Sequence, residues 1–103
     1  MTGRATMPAE IHTKLLRAFV AVAGERSFFK ASGRLSVSQG TVSTRVAQLE
    51  GILGAQLLER RRGRHGGIVL TREGCETLAD AQKLLALQDR IVLRSRSRSK
   101  PYW

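Results

Sequence analysis

Only one cysteine, Cys75, occurs in the 103 residues, which excludes an internal disulfide. Histidine is nearly as scarce. With His12 and His65 far apart in the chain, the ligands for a structural zinc site are missing. Neither histidine has a nucleophile and a carboxylate at a spacing that would form a catalytic constellation, so no enzyme and no cofactor is expected. Long apolar runs are absent too, which excludes a transmembrane helix. The N-terminus, with Arg4, Pro8, Glu10 and His12, lacks the apolar core of a signal peptide, and the expected compartment is the cytoplasm. Acidic residues are few: eight Asp and Glu face eighteen Lys and Arg, a net charge of +10. That excess on a small chain implies a polyanionic partner, most often nucleic acid, with a membrane surface as the competing one.

What is present is enough for one small domain with a modest core. The stretch from 36 to 54, SVSQGTVSTRVAQLEGILG, organises it. At about 100° per residue, Val42, Val46, Leu49 and Leu53 fall in one sector and form an apolar face. Gln39, Gly40, Thr41, Ser43, Thr44, Ala47 and Gln48 cover most of the rest, short and uncharged, with Arg45 at the flank. Ser38 is placed to cap the first turn, and Gly54 to end the helix in the left-handed conformation. First-turn N–H groups and the positive end of the helix dipole favour a phosphate, and small amides and hydroxyls suit base edges in a major groove. An ordinary amphipathic surface helix has the same face pattern, so the neighbouring segments must decide.

Residues 1–10, interrupted by Pro8, are expected to be a disordered tail. From Ile11 to Ala23, the apolar residues Ile11, Leu15, Phe19, Val22 and Ala23 recur at helical steps, and Gly24 is expected to end that helix. Ser27 offers a cap to a short helix, FFKASGRL, with Phe28, Ala31 and Leu35 on one side. Only Ser36 and Val37 then precede the helix capped by Ser38. Two helices joined so tightly must cross steeply, which is a helix-turn-helix. After Gly54, the short apolar runs at 57–58 and 68–70 flank a glycine-rich basic loop with Arg60, Arg61, Arg62, Arg64 and His65, a β-hairpin with the character of a wing. The loop lacks the GxxxxGK[ST] pattern of a nucleotide phosphate site.

Thr71 can cap the last helix, expected from Arg72 to Arg94. Its Leu78, Leu85 and Val92 repeat every seven residues, with Leu84 and Ile91 in a neighbouring row. Heptad spacing fits pairing across a dimer, and packing back onto the same domain leaves the same pattern. Cys75 in the first turn reads as a small core residue. Residues 95–103 form a low-complexity basic tail, expected to be disordered.

This order, mainly α, with three helices, a two-stranded wing and a long linker helix, resembles the N-terminal winged helix-turn-helix domain of LysR-type transcriptional regulators. The resemblance spans about Leu15 to Ile91. It rests on LRAFVAVAGERSF (16–28), Ala31 and Leu35, VSQGTVS (37–43), Val46, Leu49 and Glu50, Leu53 and Gly54, LLER (57–60) and LTREG (70–74). It implies sequence-specific binding to double-stranded DNA, on the bacterial nucleoid. The helix after Ser38 would enter the major groove, presenting Gln39, Gly40, Thr41, Ser43, Thr44 and Arg45. Ser27 and Lys30 would touch the backbone of the duplex, and the wing residues Arg61, Arg62 and Arg64 its phosphates or minor groove. The linker helix, 72–94, would pair two copies through Leu78, Leu85 and Val92 on an inverted-repeat operator. The winged domain itself would occupy 11–71.

Departures from the family pattern carry consequences. Gly40 stands where proline is usual, so the start of the helix is less preorganised. Thr44 replaces a common arginine, which removes the residue best suited to guanine. Leu58 replaces phenylalanine, and the wing is longer. The family's effector-binding domain would follow the linker helix; the basic tail stands there instead, and no effector site is expected. An interaction protein that pairs through the linker helix with a full-length relative is the alternative to a stand-alone DNA-binding module.

Overall fold

The computed structural model describes residues 9–63 and 67–98. Its elements are α1 (Thr13–Glu25), α2 (Phe28–Leu35), α3 (Gln39–Leu53), β1 (Leu58–Arg61), β2 (Gly67–Leu70) and α4 (Arg72–Arg98). This is the winged helix-turn-helix with a long final helix that the sequence leads one to expect. No helix among the described residues is long and apolar enough to cross a membrane.

Each helix start is built by a local cap. The Lys30 N–H donates to Ser27 Oγ at 3.0 Å, the Thr41 N–H to Ser38 Oγ at 3.0 Å and the Gly74 N–H to Thr71 Oγ1 at 2.9 Å. At α1 the same work falls to His12, whose Nδ1 accepts from the Lys14 N–H at 3.1 Å. His12 therefore precedes the first helix, and Ile11 lies outside it and is exposed. Gly24 does not end α1. The helix runs to Glu25, and Arg26 takes the left-handed conformation with φ 56°, its N–H donating to the Val22 carbonyl at 2.7 Å. Ser36, φ 58°, turns the chain between α2 and α3, and Gly54, φ 66°, ends α3.

α1, α2 and α3 enclose the core with the base of the hairpin. Phe19, Val22, Val42, Leu49 and Leu57 are its fully sealed large side chains, each worth about 1.5–3 kcal/mol on transfer from water. Val42, Val46 and Leu49 are buried, but Leu53 is 39% exposed, since the last turn of α3 runs past the edge of the core. The hairpin pairs Leu58 with Leu70, Glu59 with Val69, Arg60 with Ile68 and Arg61 with Gly67, antiparallel. Arg60 and Arg61 thus belong to a strand rather than to the loop.

The linker helix corrects three expectations. It continues to Arg98, four residues past the expected end at 94. Arg is a good helix former, no Gly or Pro occurs between 95 and 98, and basic residues suit the negative end of the dipole. Cys75 is exposed, because its neighbour Gly74 is the residue turned inward. Leu78 is half-buried against the core and Leu85 is only 7% exposed, so these two residues of the row pack on their own domain, whereas Val92 is 39% exposed. The free apolar row is Leu84, Leu87 and Ile91, 46%, 55% and 55% exposed and about 100–160° round the helix from Leu85. An ion pair of Arg17 with Asp89 at 2.8 Å fixes this rotation from the α1 side.

Candidate nucleic-acid interface

The first turns of α3 present the proposed reading surface. Ser38 Oγ lies 2.8 Å from Thr41 Oγ1, in addition to capping the Thr41 N–H, so the two hydroxyls are mutually ordered. A shallow concavity is lined by Ser38, Gly40, Thr41, Thr44, Arg45 and Gln48. Gln39, Gly40, Thr44 and Gln48 are exposed, while Thr41, Ser43 and Arg45 are half-buried at its flanks. At Gly40 a Cβ would meet nothing nearer than Ser38 Oγ at 3.9 Å. The fold does not require glycine there; without a Cβ the backbone of the first turn is left uncovered.

Ser27 and Lys30 share the first turn of α2. The Ser27 hydroxyl is committed to its cap, and the Lys30 side chain is exposed. On the hairpin, Arg61 and Arg62 are exposed. Arg64 and His65 lie outside the described residues. Arg60 differs from its neighbours: its guanidinium sits 4.6 Å from the centre of the Phe28 ring, a cation–π contact that turns it toward α2. Among the described residues, no group of three His, Cys, Asp or Glu could hold a metal ion.

Residues outside the expected set hold the hairpin in place. Arg26 Nη1 donates to the Ile68 carbonyl at 3.2 Å, Thr71 Oγ1 donates to the Gln56 carbonyl at 2.6 Å, and the Thr71 N–H donates to the Leu57 carbonyl at 3.0 Å. Glu50 Oε2 accepts the backbone N–H groups of Leu57 and Leu58 at 2.8 and 3.3 Å. One signal could have revealed Glu50. An acid near the C-terminus of a helix opposes the dipole and calls for a donor elsewhere.

The family model for bacterial regulatory helix-turn-helix proteins of the lysR family matches residues 13–75. A probable hydrogen peroxide-inducible genes activator of Mycobacterium avium is 42% identical over 86 residues, which is 84% of this chain and 27% of that relative. The chain thus spans about a quarter of the length of that curated relative. Among solved structures, the CbnR DNA-binding domain in complex with DNA is 38% identical with a TM-score of 0.74, covering 86% of this chain and 99% of that one. The BenM DNA-binding domain in complex with catB site 1 DNA is 38% identical with a TM-score of 0.75, covering 87% and 99%.

Proposed function

Because the chain belongs to the LysR family of bacterial regulatory helix-turn-helix proteins, we propose that it binds double-stranded DNA sequence-specifically as the DNA-binding unit of a transcriptional regulator. The observation that carries this reading is the start of α3, where ordered hydroxyls, an exposed Gln39 and an unobstructed Gly40 are aligned on a helix N-terminus. Residues 11–71 form the reading unit, with Gln39, Gly40, Thr41, Ser43, Thr44 and Arg45 toward the bases. Ser38 orders the first turn. Ser27, Lys30, Arg61, Arg62 and Arg64 meet the phosphates.

Reading and positioning separate by mutation. Gln39 offers a donor and an acceptor to adenine, whereas the hairpin arginines sense charge and groove width. Gln39→Ala is expected to lose about 1–3 kcal/mol on the preferred duplex and little on random DNA. Replacing Arg61 and Arg62 by Ala is expected to weaken both. Equal losses for Gln39→Ala on both duplexes, measured by titration, would mean that another element occupies the groove.

Pairing of two copies on an inverted-repeat operator belongs to the same proposal, with a different row from the one expected. The stripe Leu84, Leu87 and Ile91 is exposed and follows helical spacing, which supports it as the pairing surface. Leu87→Asp with Ile91→Asp is expected to keep the domain folded and to leave one copy per duplex on a two-half-site DNA, where the unmodified chain places two. Sedimentation at saturating protein checks this, and two copies per duplex for the variant would remove the stripe from the interface. The same stripe supports a second reading, pairing with a full-length relative, which a pull-down after nuclease treatment would detect.

A further inference from the structure

We propose that Glu50 is a positioning residue for DNA binding: it braces the hairpin against α3 and so fixes where Arg61 and Arg62 stand relative to the reading surface. This rests on the DNA-binding reading above. The brace acts where the base of the hairpin, with Leu57, Leu58 and Ile68 buried, gives way to its exposed outer part. A cleft of about 320 Å³ opens between the hairpin and the helices, lined in part by Phe28, Val46, Glu50 and Arg60. Across its inner edge, Glu50 holds both sides of the α3–β1 corner. Its backbone carbonyl accepts the Gly54 and Ala55 N–H groups at 2.8 and 3.2 Å, and its Oε2 accepts those of Leu57 and Leu58. A single residue thereby ends the reading helix and starts the strand that carries Arg61. Bonds from N–H groups to a carboxylate are among the stronger ones, and they are directional.

The sign of the effect distinguishes this role from plain electrostatics. Removing a carboxylate from a DNA-binding surface strengthens attraction to phosphate, so Glu50→Ala should tighten binding if charge is all that matters. Loss of the brace should instead weaken it by about tenfold, the scale of one charged hydrogen bond. Glu50→Gln keeps an acceptor oxygen for both N–H groups and drops the charge, and it is expected to bind within about twofold of the unmodified chain or more tightly.

The test is a mutant cycle read by duplex titration at fixed salt, with thermal unfolding as the check on folding. In a chain already carrying Arg61→Ala and Arg62→Ala, Glu50→Ala is expected to cost no more than about twofold, because the groups it positions are gone. If Glu50→Ala does not fold, Glu50→Asp replaces it. One carbon shorter, Asp retains the charge and withdraws the acceptor, and the same arginine-dependent loss is expected. Binding by Glu50→Ala, or by Glu50→Asp in its place, that equals or exceeds that of the unmodified chain would overturn the proposal. So would a tenfold loss that persists without the two arginines. Failure of the DNA-binding reading has a different signature, since the unmodified chain would then bind no duplex.

Discussion

Between about 50 and 200 mM salt, the affinity for any duplex is expected to fall on the order of a thousandfold. The net charge is +10, but charge already paired within the domain contributes little: Arg17 with Asp89, Arg34 with Glu25 and Arg72 with Glu76. The cations proposed to face DNA are Lys30, Arg45, Arg61, Arg62 and Arg64. Four of them, with Arg45 near enough to share a phosphate at the edge of the groove and one more phosphate at a helix N-terminus, would make about six contacts, each releasing a counterion. Titrations at four or five salt concentrations give the exponent directly. Two copies on one duplex would roughly double it, so the slope also counts subunits. A nearly flat dependence would refute binding through the phosphate backbone.

Gly74→Ala is expected to lower stability by about 2 kcal/mol or more, although alanine is the better helix former. Gly74 lies buried where α4 starts against the base of the hairpin. A Cβ there would be driven into the Leu57 carbonyl oxygen, and would lie 3.0 Å from the Leu57 carbonyl carbon and 3.1 Å from Leu70 Cδ2. The obstacle is backbone. That carbonyl also accepts the Thr71 N–H, so it cannot withdraw without breaking the cap region of α4. Overpacking therefore outweighs the gain in helix propensity, which is at most about 1 kcal/mol. For a domain of this size the midpoint of thermal unfolding should drop by roughly 8–16 °C. Gly33→Ala is the control of opposite sign, since nothing lies within 4 Å of a Cβ there. If both substitutions raise the midpoint, α4 does not start against Leu57.

The contrast between those two glycines marks how far the sequence could be read. Features fixed within one or two turns were legible: the caps at Ser27, Ser38 and Thr71, the stop at Gly54 and the tight link between α2 and α3. The apolar period also identified Val42, Val46 and Leu49 as core. The rotation of α4 was not legible. Two apolar rows lie about 100–160° apart on it, and contacts with α1, distant in sequence, decide that Leu85 turns inward and Leu87 outward. Cys75 was misread for the same reason, being one step from the buried Gly74. On the candidate site, the chemistry of α3 could be read from residue types, whereas the bracing by Glu50 and Arg26 needed partners that periodicity does not supply.

The Arg17–Asp89 pair joins residues 72 apart in sequence across an exposed surface. Such a pair is worth at most about 1 kcal/mol, while closing so long a loop carries an entropy cost that grows with the logarithm of its length. The hairpin and the α1–α3 crossings, by contrast, join nearer neighbours along the chain. Folding is therefore expected to assemble α1 to α3 and the hairpin first and to dock the outer half of α4 last. In the folded molecule that half is expected to open at a lower free energy than α1 to α3, which amide exchange would register as weaker protection from about 86 onward.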